Sequence, residues 1–150
     1  MKIGIIGSGD VGRVLGAGFI KEGHEVLLGT RDINKEAVVN WLANNPNSQV
    51  GSFADAAAFG ELIVLATAGD ITEAVIESAG IANFDSKIVI DATNPISHAK
   101  PPVNSVLQFF NTAAGSLMEH LQNLVPDAKF VKAFNSVGNA LMYKPDLPGG

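Results

Sequence analysis

Three glycines near the amino terminus have the spacing of a loop that binds phosphate groups through its backbone. Gly7, Gly9 and Gly12 form the pattern G-x-G-x-x-G. We expect Gly7 to permit a tight turn, Gly9 to let a ligand approach the backbone with no Cβ in the way, and Gly12 to let a helix pack closely on a strand. The N–H groups and partial positive charge at the amino end of that helix would attract phosphate.

The segments around these glycines are the ones that such a loop needs. The apolar run 3–6 precedes the loop and is typical of a buried strand, and a helical pattern follows the loop and closes at Glu22-Gly23. A second apolar run, 26–28, ends at Gly29. Strand, glycine turn, helix and strand within roughly 30 residues are typical of dinucleotide binding, which we therefore predict.

The end of the second predicted strand distinguishes NAD from NADP. An acidic residue there would accept hydrogen bonds from the adenosine ribose, but this chain has Thr30 and Arg31, with Lys35 following. A hydroxyl and two cations suit a phosphate dianion, so we predict NADP(H) as the cofactor. Asp32 could instead turn inward, and the two cations could belong to a solvated helix start.

The rest of the chain alternates apolar runs with helical patterns, which predicts an α/β fold. The expected architecture is a doubly wound parallel sheet (Rossmann fold) with strand order 3-2-1-4-5-6. The four later strands are predicted over 49–51, 61–67, 87–92 and 128–134. Helices are predicted over 34–44 and 53–59, from 70 or 72 to 79–80, and from Thr112 or Ser116 to Pro126, with 96–111 irregular and a short helical turn over 137–142.

Further candidate residues follow the fourth and fifth predicted strands, at the sheet edge where ligands bind in this architecture. Ala66 and Thr67 follow strand four, and the Thr67 hydroxyl could bond a ribose or cap the turn. Asn94 and Pro95 follow strand five, where Asn94 could bond the nicotinamide carboxamide or brace its own loop. We include all four among the cofactor-binding candidates.

The remaining polar residues at this edge leave the catalytic residues unassigned. Asp91 could orient a catalytic group or be satisfied by backbone N–H groups, and His98 could be an acid or base or a surface residue. Residues 134–136 could line the pocket or cap a turn. No Ser-His-Asp set, metal-ligand cluster or lysine in an obvious catalytic position stands out, so we assign the chemistry to the cofactor.

Composition restricts the classes to which the protein could belong. With 150 residues, 47% of them hydrophobic and 17% charged, we expect one NADP-binding domain over 1–150, continuing into a short carboxy-terminal segment of a longer protein. No apolar run is long enough to cross a membrane, no signal peptide is evident, and there is no cysteine, so we expect a cytoplasmic protein. The net charge of −5 argues against a nucleic-acid partner.

The chain resembles the family of NADP-dependent oxidoreductases that includes the coenzyme F420-dependent NADP reductases. The resemblance rests on the stretches KIGIIGSGDVG, LLGTR with Lys35, IVIDATNPI and VKAFNSVG, of which the last two are more similar to a bacterial branch of predicted dinucleotide-binding proteins. It implies that the pyrophosphate is held by Ser8, Gly9, Asp10 and Val11. It also implies that Thr30, Arg31 and Lys35 hold the 2′-phosphate.

The resemblance implies hydride transfer between NADP(H) and a small-molecule acceptor, F420 or a flavin, without a dedicated acid–base residue. Ala68-Gly69 stands where the F420 enzymes have Pro-Trp, so the acceptor stays open. Related proteins pair through their carboxy-terminal parts, which makes a homodimer plausible here. Two alternatives remain: a non-catalytic NADP(H)-sensing module, and the amino-terminal part of a 3-hydroxyacid or pyrroline-carboxylate dehydrogenase.

Overall fold

A computed structural model describes residues 1–97, 99–110 and 115–147 of the chain. Its parallel strands are β1 (Lys2–Ile6), β2 (Glu25–Gly29), β3 (Ser48–Gly51), β4 (Leu62–Leu65), β5 (Ile88–Asp91) and β6 (Lys129–Lys132). Its α-helices are α1 (Asp10–Lys21), α2 (Glu36–Asn44), α3 (Phe53–Phe59), α4 (Thr72–Ala79) and α5 (Leu117–Leu124). The strands form a six-stranded sheet in the order β3-β2-β1-β4-β5-β6, which confirms the predicted Rossmann-like α/β fold.

The register of the sheet brings three strand ends together. Ile6, the last residue of β1, pairs with Gly29 at the end of β2 and with Leu65 at the end of β4. Because all these strands are parallel, the loops that follow them leave the same edge of the sheet. The strand order reverses at β1, since β2 lies on one side of it and β4 on the other, and ligands bind at such a switch point.

Both faces of the sheet are covered, as the continuous apolar runs predict. Alternate residues of a strand point to opposite faces, so Ile3 and Ile5 of β1 pack with Leu15 of α1 and Trp41 of α2. The other face packs against α3, α4 and α5 in a second cluster. This cluster contains Ile6, Leu27, Ala56, Ala57, Ile63, Leu65, Val75, Ile76 and Leu121. The central strands are thus held on both sides.

The late strands end earlier than their apolar runs suggest. β6 stops at Lys132, and the chain turns at Phe134, whose φ is +63°.

In the described part of 96–111, the chain is irregular apart from two isolated antiparallel bridges, Ile96 with Phe109 and Val103 with Val106. The alternative helix start at Thr112 lies outside the described residues, while Ser116 is the observed N-cap of α5. Among the helices that the structure describes, none combines the length and apolarity needed to cross a bilayer.

The same reciprocal cap begins both α3 and α5. The Ser116 hydroxyl accepts a hydrogen bond from the Glu119 N–H at 3.2 Å, and the Ser116 N–H donates to Glu119 Oε2 at 2.7 Å. Ser52 and Asp55 repeat the arrangement at α3. The hydrogen bonds from the Ser116 backbone and side chain hold the pKa of Glu119 below its usual 4.5. The ionised carboxylate therefore stabilises the fold above about pH 4.5 and loses that effect as the pH falls through its lowered pKa.

We expect Ser116→Ala to lower the free energy of unfolding by about 1 kcal/mol, because the Glu119 N–H loses its acceptor. Urea denaturation at pH 7 measures the change. Glu119→Gln is the companion variant: it should remove part of the acid-side loss of stability that the wild type shows below pH 4.5. An unchanged urea midpoint for Ser116→Ala would contradict the stabilising role of this cap.

Candidate functional site

The loops after β1, β2 and β4 enclose a cavity of about 250 Å³ at the switch point, which we call the glycine-loop cavity. The lining residues come from each of these loops, with additions from α3 and the turn before α4. They are Gly7, Ser8, Gly9, Thr30, Arg31, Asp32, Lys35, Phe53, Ala66, Thr67, Ala68 and Ile71. Three segments that are distant in sequence and were each predicted to bind the cofactor thus share one cavity.

The glycine turn has the geometry expected of a loop that lets a ligand reach the backbone. Gly7 has a φ of +118°, and a Cβ there would lie 2.4 Å from the carbonyl oxygen of Ala66. A Cβ at Gly12 would lie 1.9 Å from the carbonyl oxygen of Gly7, so α1 approaches the turn only because position 12 lacks a side chain. At Gly9, by contrast, a Cβ would meet no protein atom within 4 Å. Gly9 therefore faces open space where a ligand could approach.

The amino end of α1 is not blocked by a side-chain cap. Gly9 is the N-cap residue and provides no side-chain acceptor, so the N–H groups of the first turn, which include those of Asp10 and Val11, have no partner within the helix. The Asp10 carboxylate pairs with Arg13 at 2.5 Å, and the same guanidinium donates to the Ser8 carbonyl at 2.7 Å. Arg13 thus pairs with the Asp10 carboxylate and stabilises the glycine loop through the Ser8 carbonyl. Phosphate could accept hydrogen bonds from the free N–H groups.

Thr30 connects the glycine loop to the loop after β2. Its hydroxyl is buried and lies 2.8 Å from the Ser8 hydroxyl, and it also contacts the Asp32 N–H at 3.3 Å. Asp32 Oδ1 accepts a hydrogen bond from the Asn34 N–H at 2.9 Å, so this carboxylate stabilises its own turn. Thr30 is thereby a positioning residue for the two loops that line the cavity.

Arg31 and Lys35 are cations without a counter-charge in the described part of the chain. Both side chains are exposed, both line the glycine-loop cavity, and within residues 1–97, 99–110 and 115–147 neither has an ion-pair or hydrogen-bond partner. These two cations, beside the uncapped amino end of α1, produce a local positive field in a chain whose net charge is −5. An anion with two negative charges is the ligand that such an arrangement favours.

Thr67 and Asn94 each form a hydrogen bond with another protein group, Thr67 within its own turn and Asn94 with a different loop. Thr67 lines the glycine-loop cavity, but its hydroxyl lies 2.8 Å from the hydroxyl of Thr72, which begins α4. Asn94 donates to the Asn135 carbonyl at 2.8 Å and so braces the loops after β5 and β6. Asn94 and Pro95 do not line the glycine-loop cavity. They line a neighbouring cavity of about 330 Å³, and the Gly69 backbone packs against the Asn94 carbonyl.

Asp91 is fully buried and is satisfied by residues that include a lysine. Its Oδ1 accepts hydrogen bonds from the Thr93 N–H at 2.9 Å and hydroxyl at 2.7 Å, and its Oδ2 lies 2.9 Å from Lys132 Nζ. Lys132 also lines the neighbouring cavity, and it was not among the residues that the sequence predicted for the site. A buried aspartate at the end of an apolar strand needs a hydrogen-bonding or cationic partner. This requirement was the signal in the sequence that could have indicated a lysine close to Asp91.

Other predicted residues are spread around this edge. Asn135 lines the neighbouring cavity, Phe134 packs against the cluster beside α1, and the predicted candidate His98 lies outside the described residues. In the part of the chain that the structure describes, no group of three or more His, Asp or Glu residues could hold a metal ion.

Comparison with known proteins identifies relatives. Residues 2–95 match a family described as NADP oxidoreductase, coenzyme F420-dependent. A candidate F420-dependent NADP reductase from Arthrobacter sp. FB24 is 34% identical, with a TM-score of 0.88 over 97% of this chain and 67% of that one. None of the curated proteins is significantly similar to the chain.

Two more distant solved structures share the fold alone. A hypothetical protein from Sinorhizobium meliloti is 21% identical, with a TM-score of 0.72 over 94% of this chain and 64% of that one. The 3-hydroxyisobutyrate dehydrogenase from Salmonella typhimurium is 18% identical, with a TM-score of 0.51 over 62% of this chain and 33% of that one. The chain spans about two thirds of the length of the Arthrobacter and Sinorhizobium proteins.

Proposed function

The chain belongs to the family of coenzyme F420-dependent NADP oxidoreductases, and from this membership we propose that it binds NADP(H) and transfers a hydride between it and a flavin or deazaflavin acceptor. The observation that carries the proposal is the meeting of the glycine loop with Arg31 and Lys35 in one cavity, where both cations are unpaired among the described residues. The Arthrobacter relative is named for an F420-dependent reductase, which supports the acceptor class.

In this proposal, the adenosine end of the dinucleotide lies at the end of β2. Arg31 would bind the 2′-phosphate with two parallel hydrogen bonds, and Lys35 would add a second positive charge. Thr30, held by Ser8, would keep the two loops in position. The cofactor without the 2′-phosphate would gain nothing from the two cations, so the same residues would provide the preference for NADP(H) over NAD(H).

The pyrophosphate would lie against Ser8, Gly9, Asp10 and Val11 at the amino end of α1. The free N–H groups there bind the charge, and the bare Gly9 permits close approach. From this point the nicotinamide end would run past Ala66 and Thr67 toward Asn94 and Pro95. The latter two line the neighbouring cavity, so the reacting ring would lie at the junction of the two cavities.

NADPH, when bound, supplies the hydride, and this chain's residues would act by orientation. Direct transfer between two stacked rings needs no general acid or base, which is compatible with the lack of a recognisable acid–base set among the residues that the structure describes. Exclusion of water from the junction would protect the transfer. We propose that residues 1–150 act as one NADP-binding domain and that the acceptor occupies the neighbouring cavity.

Stopped-flow oxidation of bound NADPH by F420, FMN, FAD and a quinone tests the proposal. We expect rapid loss of NADPH absorbance with at least one deazaflavin or flavin, and weaker binding of NADH under the same conditions. The quinone controls for non-specific oxidation. Tight NADPH binding with no oxidation by any acceptor would contradict hydride transfer and favour a sensing module. Equal affinity for NADH and NADPH would contradict the assignment of the 2′-phosphate site.

A further inference from the structure

The neighbouring cavity contains a cation that the cofactor site does not use. Its described lining is mainly apolar or aromatic, with a few polar groups at the ends of β5 and β6. The lining residues are Asn94, Pro95, Phe109, Phe110, Gly115, Ser116, Leu117, Met118, Lys132 and Asn135. Apolar walls with a few placed polar groups are typical of a small-molecule site, and about 330 Å³ lies within the usual range of volumes.

Lys132 is held in one position by two acceptors. Its Nζ donates to Asp91 Oδ2 at 2.9 Å and to the Thr93 carbonyl at 2.5 Å. An ammonium group has three N–H donors, and for the third the described residues offer only the Thr93 hydroxyl, 3.5 Å away. The Lys132 side chain is 27% exposed although Asp91 is fully buried. The ammonium group can therefore donate to a ligand in the cavity without giving up its two anchors.

The ligand that suits this cavity is a flat conjugated ring with a carbonyl oxygen. Phe109 and Phe110 could contact the ring faces, while Lys132 could bond the carbonyl oxygen. Flavins and deazaflavins share such a unit, the N1–C2 carbonyl of the pyrimidine ring. When either accepts a hydride, the electron pair that is displaced becomes negative charge on this unit. A cation fixed beside it stabilises the charge as it develops.

We propose that Lys132 is a catalytic residue that takes up the negative charge formed on the acceptor during hydride transfer. The inference rests on the proposed function. The C4–H bond of the dihydronicotinamide breaks with its electron pair, and an N–H bond forms at N5 of a flavin, or a C–H bond at C5 of a deazaflavin. The acceptor's displaced electron pair moves to N1–C2=O beside Lys132, NADP⁺ is left, and solvent later supplies one proton. Asp91 is the positioning residue for the ammonium group.

The test compares variants that keep the fold. Removing Lys132 alone would leave the buried Asp91 carboxylate without its cation and could unfold the protein. We therefore use Asp91→Asn/Lys132→Met, measured relative to Asp91→Asn, with Lys132→Arg to restore the charge. Lys87→Met is the matched control, because Lys87 is a part-buried lysine whose Nζ bonds the Ala57 carbonyl at 2.7 Å, just before the amino end of β5 and away from the ligand-binding edge.

Two readouts are needed, one of which does not involve NADPH. Sulfite adds to N5 of flavins and places negative charge on the same N1–C2 unit, so its affinity for protein-bound FMN reports the cation directly. We expect the double variant to lose about 10- to 100-fold in sulfite affinity and in the single-turnover rate of NADPH oxidation, by FMN and by F420 in separate arms. Lys132→Arg should recover part of both, and Lys87→Met should change neither.

The outcomes separate this inference from the proposed function. If the double variant keeps the sulfite affinity and transfer rate of Asp91→Asn while the wild type oxidises NADPH, Lys132 is not catalytic and the proposed function stands. If the wild type binds neither FMN nor F420, this inference is overturned as well. If the double variant loses sulfite affinity as expected but the wild type never oxidises NADPH, the proposed function fails and the cavity binds a flavin for another purpose.

Discussion

Arg31→Glu is expected to weaken NADPH binding by about 2 to 4 kcal/mol, or roughly 30- to 700-fold, because two charge-assisted hydrogen bonds are lost and a carboxylate faces the 2′-phosphate. Binding of NADH should change by no more than a few-fold, since NADH lacks that phosphate. Arg31 is exposed and has no partner within the described residues, so its replacement should cost little stability. Titration of nucleotide fluorescence measures both affinities.

Lys129→Glu is the matched control for this experiment. Lys129 is an exposed lysine at the amino end of β6, whereas the glycine-loop cavity lies at the carboxyl ends of the strands. Its reversal alters the net charge of the protein by the same amount as Arg31→Glu. Any loss that follows from net charge alone will therefore appear in both variants. If Arg31→Glu weakens the binding of NADPH and of NADH equally, Arg31 does not bind the 2′-phosphate.

Gly12→Ala is expected to lower the free energy of unfolding by about 3 kcal/mol. The added Cβ would lie 1.9 Å from the carbonyl oxygen of Gly7, so either α1 or the glycine turn must move. The gain in helix propensity from glycine to alanine, about 1 kcal/mol, offsets only part of this overlap. For a chain of this length the melting temperature should fall by roughly 10 °C. Calorimetry without nucleotide measures the effect.

Gly9→Ala is the control and should have the opposite pattern. At Gly9 a Cβ meets no protein atom within 4 Å, and the backbone conformation, with φ −70° and ψ −177°, suits alanine. We expect stability within about 0.5 kcal/mol of wild type but nucleotide affinity lowered by roughly 10- to 100-fold, because the methyl group keeps the pyrophosphate from the backbone. If Gly12→Ala leaves the melting temperature unchanged, close packing at residue 12 does not support the turn.

The order of the strands and the loops that line the glycine-loop cavity could be predicted because their signals are local. The apolar runs at 3–6 and 26–28 need only their own composition to become buried strands. The glycine spacing requires only that a strand precede it and a helix follow. Right-handed crossovers then restrict the topology, so the residues after β1, β2 and β4 had to leave one edge of the sheet. The placement of Gly9 and Arg31 at one edge of the sheet could therefore be predicted from the sequence.

The hydrogen bonds of Asn94 and Lys132 depend on neighbours that are distant in sequence, whereas the Thr67 hydroxyl meets that of Thr72 five residues along the chain. Whether a hydroxyl or amide is free depends on what lies within hydrogen-bond distance: Asn94 meets Asn135 at 2.8 Å, across 41 residues of chain. Lys132 meets Asp91 only because β6 pairs with β5 in a register that aligns these two residues.

The sequence by itself determined the α/β sheet, the glycine turn and the pair of cations, because short-range pattern and backbone sterics suffice for them. Only the tertiary structure decided that Asp91 is paired with a lysine, that Asn94 braces a loop and that Asn94, Lys132 and Asn135 line a second cavity. A buried charge or amide takes whichever partner the packing brings within about 3 Å, and that partner is defined only when the sheet is assembled.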